Sequence, residues 1–142
     1  MRIAEVLRHK GAQVVTISPE TSVRDLLGLL VEHRVGALVV SADGAHIDGI
    51  VSERDVVRRL HSDGYRILDG PVTEIMTARV HTCGPDATVD DLMAVMTERR
   101  FRHVPVVVDE KLSGIVSIGD VVKHRLAELQ DERDHLTSYI RG

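Results

Sequence analysis

The sequence predicts a mixed α/β fold made of two copies of one small unit with the element order β-α-β-β-α. Residues 18–26 resemble residues 84–92, and residues 49–58 resemble residues 114–123. Each copy also alternates Val- and Ile-rich segments of strand length with segments of helical periodicity. Internal repetition fixes the architecture before any local assignment, because both copies must fold in the same way.

The alignment of the copies places the domain boundary. Ser18 aligns with Gly84 at an offset of 66, and Gly49 aligns with Gly114 at an offset of 65. The missing residue falls in the turn before the last strand, where a change of length is tolerated. We expect one repeat at 1–70 with an N-terminal lead-in helix, and a second at 71–142 after the turn at 69–71.

Each copy begins with a short extended segment, at 14–17 and at 80–82, which a Pro-marked turn follows. Short helical lead-ins precede the copies at 2–7 and 72–76. The first full helix of each copy has an apolar face at helical spacing. The members of that face are Val23, Leu26, Leu27, Leu30 and Val31 in copy one, and Val89, Leu92, Met93 and Met96 in copy two.

Two strands and a second helix complete each copy. The strands are expected at 37–41 and 47–52 in copy one, and at 103–108 and 112–117 in copy two. A unit of about sixty residues buries its small sheet poorly when alone. We therefore expect the two sheets to pack against each other with pseudo-two-fold symmetry.

The last helix extends beyond the repeat and has an apolar stripe. Its members are Val122, Leu126, Leu129, Leu136 and Ile140, with Arg133 interrupting the heptad spacing. The stripe either folds back on its own domain or packs on a partner, and three heptads alone are marginal for stability. We predict a homodimer.

The composition of the chain is typical of a globular protein and disfavours a membrane or secreted protein. The 142 residues include 43% hydrophobic and 28% charged residues, with a net charge of -4, which is typical of a globular chain. No apolar run approaches the length of a membrane span, and no secretory leader is visible. The single cysteine, Cys83, cannot form an internal disulfide. We expect a soluble cytoplasmic protein without membrane contact.

Basic and metal-binding patterns are weak. The cluster Arg99–His103 is short, and Arg99 and Arg100 suit a helix C-terminus, so nucleic-acid binding is unlikely at this net charge. His81 and Cys83 lie two residues apart, but a tetrahedral metal site needs more ligands. The sequence displays no nucleophile with a base and no paired acid and base. We expect no enzymatic activity, no metal and no required cofactor.

The motif Gly-Ile-Val-Ser-x-x-Asp occurs once in each copy, at Ser52 with Asp55 and at Ser117 with Asp120. One interpretation is a helix capping box, and Ser22 with Asp25 and Thr88 with Asp91 have the same spacing. The other interpretation is a nucleotide site. A helix N-terminus with free N–H groups favours phosphate, and a carboxylate accepts both hydroxyls of a ribose. Spacing alone leaves both open.

The ordered set of motifs resembles the CBS domain family. The matching stretches are Ile17–Pro19, Val35–Val40 and Gly49–Asp55 in copy one, and Glu74–Thr77, Arg102–Val107 and Gly114–Val121 in copy two. The whole chain resembles a stand-alone bacterial CBS pair, the arrangement called a Bateman module. The resemblance implies adenosine-containing ligands, such as AMP, ADP, ATP, NAD or S-adenosylmethionine, in clefts between the repeats.

Site residues follow from the resemblance by position. Asp55 with Ser52 and Asp120 with Ser117 would hold ribose, Arg102 and His103 would lie near phosphate, and Ile17 and Thr82 would contact the base. Gly36 and Ala37 stand in copy one where Arg102 and His103 stand in copy two, so the basic groups are missing there. The two sites are therefore expected to differ.

These observations favour a regulatory ligand-sensing module that signals to a separate effector protein through a population shift. The alternative is a structural or nucleic-acid-associated homodimer with no small-molecule ligand.

Overall fold

The structure, a computed structural model, describes residues 1–11 and 13–141. These residues form five α-helices and two small β-sheets, which confirms the predicted α/β class. The helices are α1 (Ile3–Lys10), α2 (Val23–His33), α3 (Glu53–Asp63), α4 (Val89–Arg99) and α5 (Ile118–Arg141). The strands are β1 (Thr16–Ile17), β2 (Ala37–Val40), β3 (Gly49–Ser52), β4 (His103–Val108) and β5 (Lys111–Ser117).

The three-stranded sheet of the first repeat has the order β1-β2-β3. Strand β1 runs parallel to β2, and β2 runs antiparallel to β3, with Ala37 opposite Ser52 and Val40 opposite Gly49. All four residues of β2 are buried. This register places the end of β3, where α3 begins, beside the start of β2.

The second sheet contains only β4 and β5, so the strand predicted at 80–82 is not formed. One parallel bridge remains, in which Cys83 N donates to Pro105 O at 3.1 Å and Val107 N donates to Cys83 O at 2.9 Å. The next rung toward residue 81 would require an N–H from Pro105. Proline has none, and the pairing stops at this bridge.

Contacts within the chain define two compact units. The first-repeat unit comprises Gln13–His81 with Asp109–Leu112, and the second-repeat unit comprises residues 1–11, Thr82–Val108 and 113–141. Helix α1 thus contributes to the core of the second-repeat unit, through Ile3, Val6 and Leu7. Residues 67–76, which span the predicted repeat boundary, contribute Ile67, Val72 and Ile75 to the core of the first-repeat unit.

A glycine allows each lead-in segment to approach its sheet closely. A Cβ atom on Gly49 would lie 2.6 Å from Met76 Sδ and 2.8 Å from Thr77 O. A Cβ atom on Gly114, the equivalent position, would lie 2.7 Å from Leu7 Cδ2. A larger residue at position 49 must push the lead-in backbone away from its strand, whereas at position 114 the tip of the Leu7 side chain must move.

Most of the predicted helix faces are buried, with one correction. Val23, Leu26 and Leu30 of α2 and Val89, Leu92 and Met96 of α4 are buried. Val31, however, is 79% exposed. It follows Val23 by eight residues, which rotates it about 80° away around the helix at 3.6 residues per turn.

Two short segments near the repeat boundary are 3₁₀ helices. One, at Tyr65–Asp69, has no counterpart in the prediction, and the other, at Val72–Glu74, replaces the helical lead-in predicted at 72–76. Pro71 fixes the backbone immediately before the second segment. Five residues or fewer provide too little periodicity to be recognised in a sequence.

Helix α5 confirms the predicted long final helix. Val121 is its buried residue, whereas Leu129 is 44%, Leu136 65% and Ile140 83% exposed. The apolar stripe therefore lies in solvent over its C-terminal half. None of the helices described by the structure combines the length and apolar character needed to cross a bilayer.

Candidate functional site

The first candidate site lies where β3 passes into α3, and we call Ser52 with Asp55 the first junction. Ser52 is the N-cap residue in extended conformation, and its Oγ accepts a hydrogen bond from Asp55 N at 3.3 Å. Asp55 Oδ2 accepts from Ser52 N at 2.9 Å and from Ser52 Oγ at 3.0 Å. The junction is therefore a reciprocal capping box.

The equivalent residues where β5 passes into α5, Ser117 and Asp120, form the second junction. Ser117 Oγ accepts from Asp120 N at 3.2 Å, and Asp120 Oδ2 accepts from Ser117 N and Oγ at 2.9 Å each. The two junctions are thus alike in their backbone and hydroxyl bonds. In both, the carboxylate uses Oδ2 for the box, and Oδ1 takes no part in it.

The preceding helices provide an internal comparison. Ser22 Oγ accepts from Asp25 N at 3.1 Å, and Thr88 Oγ1 accepts from Asp91 N at 3.1 Å. Both are ordinary N-caps, and the structure records no return bond from either carboxylate. Of these four Ser/Thr-x-x-Asp caps, the two at the junctions form a reciprocal box and the two at α2 and α4 do not.

The helix starts at the junctions are not rich in free N–H groups, contrary to the expectation for a phosphate site. Glu53 N donates to Gly36 O at 3.0 Å, and Ile118 N donates to Arg102 O at 2.8 Å. The third N–H of each helix donates to the cap serine. Two of the first three donors are therefore occupied, because the preceding strand begins beside the helix start.

A cation that the sequence analysis missed lies at the second junction. Lys10 Nζ is 2.6 Å from Asp120 Oδ2 and donates to Ile115 O at 3.0 Å. Partial burial alone would raise the pKa of Asp120, but the bonds from Lys10 and Ser117 outweigh burial and hold that pKa below its ordinary value. Lys10 and Asp120 are 110 residues apart, so no local pattern could reveal the pair.

The remaining predicted residues are spread over different environments. Arg102 is exposed and His103 is half-buried at the start of β4. Ile17 and Ala37 belong to the core, with 5% and 4% exposure, while Thr82 is exposed. Gly36 is half-buried and contributes its carbonyl to the start of α3. Side-chain surface is thus available at Arg102, His103 and Thr82 but scarcely at Ile17 and Ala37.

Arg102 also lines a shallow groove of about 730 Å³ along the first three turns of α5. Its other lining residues are Ile118, Gly119, Val122, Lys123, Leu126, Ala127 and Gln130. Ser117 and Asp120 are not among the residues that line this groove. The predicted phosphate contact and the predicted ribose contact of the second repeat therefore do not share it.

Residues 1–11 and 13–141 contain neither a cluster of metal ligands nor an activated cysteine. No three His, Cys, Asp or Glu side chains in this part of the chain are grouped as metal ligands. Burial raises the pKa of the Cys83 thiol to about 11. The thiol therefore stays protonated near neutral pH, and protonated thiols are poor nucleophiles.

Each copy contains the element order α-β-β-α, which a first strand precedes in copy one, and a reciprocal Ser-x-x-Asp box at its second helix. These features define a tandem pair of small α/β modules. The sequence profile described as "CBS domain" matches residues 3–62 and 72–127. The chain therefore belongs to the CBS domain family, and the match falls once on each repeat.

Known proteins support this assignment. A mitochondrial CBS domain-containing protein of Arabidopsis thaliana is 34% identical over 148 residues, which cover 99% of this chain and 72% of that protein. The crystal structure of a CBS-domain containing protein from Agrobacterium tumefaciens is 44% identical, with a TM-score of 0.85 over 88% of this chain and 99% of that chain. The CBS domain pair of protein MJ0100, crystallised with 5′-methylthioadenosine and S-adenosyl-L-methionine, has a TM-score of 0.76 at 23% identity over 87% of this chain and 98% of that chain.

Proposed function

We propose that this chain is a regulatory module that binds adenosine-containing ligands at its two junctions and signals their occupancy to a separate effector protein. The reciprocal box at Ser52 with Asp55 and at Ser117 with Asp120 carries the proposal. It holds each carboxylate in a fixed orientation while Oδ1 remains outside the box. A carboxylate oxygen presented in this way accepts hydrogen bonds from ribose hydroxyls.

Two further observations support an adenosine ligand. The MJ0100 domain pair, which shares the fold, was crystallised with two adenosine derivatives. Arg102 and Lys123 add exposed positive charge near the start of α5. AMP, ADP, ATP, NAD and S-adenosylmethionine are the candidate ligands, with Arg102 and His103 toward phosphate and Ile17, Thr82, Gly36 and Ala37 toward the rest of the nucleotide.

The proposal assigns the chain to binding and signalling in the cytoplasm and not to catalysis. Binding acts by population shift, in which the ligand stabilises the conformation of the module that the effector recognises. The exposed stripe of α5 supports a homodimer as the form that binds the effector.

A thermal-melt panel of the five candidate ligands tests the proposal. A ligand present at about one hundred times its Kd adds about 2.7 kcal/mol to the free energy of unfolding. For a chain of this size the midpoint should rise by several degrees. No rise with any of the five at millimolar concentration would contradict the proposal.

A second candidate function is a structural homodimer with no small-molecule ligand. Two observations favour it: each cap serine and each carboxylate oxygen Oδ2 is already satisfied within its box, and the apolar stripe of α5 is exposed. This candidate predicts a dimer at micromolar concentration together with a flat melt panel. A nucleic-acid role fits poorly with the net charge of -4.

A further inference from the structure

The two junctions differ in an ion pair to the carboxylate. Glu53 and Arg54, whose charges offset each other, separate Ser52 from Asp55, and the uncharged Ile118 and Gly119 separate Ser117 from Asp120. At the second junction the Lys10 ammonium lies 2.6 Å from Asp120 Oδ2. At the first junction the structure records no ion pair to Asp55 from residues 1–11 or 13–141. The boxes themselves have the same bonds within 0.1 Å, so the difference comes from the lead-in segments and not from the motif.

The lead-in segments satisfy the same strand carbonyl by different means. In the first-repeat unit, Thr77 N donates to Ile50 O at 2.8 Å and Ile50 N donates to Thr77 O at 2.9 Å, a backbone bridge. In the second-repeat unit the equivalent carbonyl, Ile115 O, accepts from Lys10 Nζ at 3.0 Å. The Lys10 side chain thus donates the hydrogen bond that a backbone N–H donates in the first-repeat unit.

Helix geometry explains the replacement. Leu7 covers Gly114 as Met76 covers Gly49, so the two lead-ins are aligned up to this point. Beyond Leu7, helix α1 continues through Lys10 to Gly11, and its backbone N–H groups bond within the helix. They cannot bridge to Ile115, whereas the long lysine side chain can. That substitution brings a positive charge to Asp120 which Asp55 does not have.

The Lys10 charge reduces the repulsion between the Asp120 carboxylate and an anionic ligand. The ammonium of Lys10 offsets the negative charge of Asp120 for any group placed a few ångströms away, while Asp55 keeps its charge. Lys10 keeps 36% of its side-chain surface exposed, so it is accessible to a bound molecule. An anionic ligand is therefore disfavoured at the first junction and tolerated at the second.

We propose that Lys10 is a specificity-determining residue that makes the second junction the site for phosphorylated adenosine ligands, leaving the first to uncharged or cationic ones. The inference rests on the proposed function, since it concerns the ligand class of the same junctions. Two unit charges about 6 Å apart change an affinity by about threefold in water and by about a hundredfold at an effective dielectric constant of about 20, so we expect about tenfold at the partly exposed Lys10. That factor is the expected effect on a nucleotide.

Calorimetric titration of AMP and adenosine into the Asp55→Ala variant, which lacks the carboxylate of the first junction, tests the inference. Adding Lys10→Met should weaken AMP binding by about tenfold and change adenosine binding by less than about twofold. Lys10→Arg should restore the preference for AMP, because it keeps the charge. Arg24→Met, which removes the exposed Arg24–Asp69 ion pair in the other unit, is the matched control and should change neither ligand.

The outcomes separate this inference from the proposed function. Equal losses of AMP and adenosine affinity in Lys10→Met would show that Lys10 acts only on the fold, and this overturns the inference while binding stands. Unchanged affinities for both ligands overturn it as well. Failure of every adenosine ligand to bind the unsubstituted chain rejects the proposed function, and the inference falls with it.

Discussion

Lys10 Nζ lies 2.6 Å from Asp120 Oδ2, and this pair joins the end of α1 to the start of α5 within the second-repeat unit. The same oxygen accepts from Ser117 N and Ser117 Oγ, so three donors converge on one carboxylate oxygen. From the part of the chain that the structure describes, the equivalent Asp55 oxygen receives two bonds, both from Ser52. One motif is thus held in two different electrostatic environments.

The first prediction concerns stability. Asp55→Ala removes a capping box and should lower the free energy of unfolding by about 1 kcal/mol. Asp120→Ala should lower it further, by up to about 1 kcal/mol more, because it also removes a partly exposed ion pair. Urea denaturation measures both. A double-mutant cycle with Lys10→Met should assign the excess to the pair, and equal losses at both sites would contradict the assignment.

The second prediction concerns the loss of stability at acidic pH. The pKa of Asp120 is lowered in the folded chain, so its contribution to stability is complete above the unfolded value of about 4 and is lost as the pH falls below it. Lys10→Met should flatten this loss below about pH 4. The pKa of Asp43 is also held low by hydrogen bonds with His46, so Asp43 also contributes to the loss of stability in acid. Asp43 is unaffected by the variant, so a residual slope should remain.

The acid prediction fails if Lys10→Met and the unsubstituted chain lose stability in parallel as the pH falls. Urea midpoints at four or five pH values between about 2 and 5 would resolve the difference.

The repeats and most elements could be predicted because their signals are local. The strand at 103–108 is observed with the predicted bounds, since its Val-rich run ends in charged turn residues. The missing strand at 80–82 depends instead on Pro105, more than twenty residues away. Whether an extended segment pairs as a strand depends on the N–H groups of the neighbouring strand. The sequence of the segment itself carries no information about those groups.

The sequence predicts the motif residues of the candidate site but not the lysine that pairs with Asp120. The repeated motif and the family resemblance predict Ser52, Asp55, Ser117 and Asp120, and the structure brings each pair together. Lys10 was not found, because α1 contributes to the core of the unit that contains the second repeat. The residues around Asp120 do not indicate that a lysine from the distant lead-in segment will contact this carboxylate.

The third prediction concerns the glycines under the lead-in segments. Gly49→Ala should destabilise the chain by about 1–3 kcal/mol, because its methyl group meets the backbone oxygen of Thr77 at 2.8 Å. Gly114→Ala should cost less, since the methyl group meets only the tip of the Leu7 side chain, which can rotate. Thermal melts compare the two variants, and the reverse order would show that the lead-in contacts are misassigned.

The fourth prediction concerns the exposed stripe of α5. Leu136, 65% exposed, should contribute to a homodimer contact, so Leu136→Lys should shift the chain from dimer to monomer. Light scattering with size-exclusion chromatography at micromolar concentration measures the mass. Asp131→Lys, on the opposite face of the same helix, is the control and should leave the dimer intact. A monomer before any substitution would contradict the dimer proposal.

The most direct test of the account compares two matched double variants by calorimetric titration with AMP and S-adenosylmethionine. Asp55→Ala with Asp120→Ala removes the carboxylates of both junctions, while Asp25→Ala with Asp91→Ala removes those at the ordinary caps of α2 and α4. We predict that the first pair abolishes the binding of any ligand that the unsubstituted chain binds, and that the second pair leaves the Kd within about twofold. Retention of full affinity in the first pair, with both variants folded, would show that the junction carboxylates do not hold the ligand.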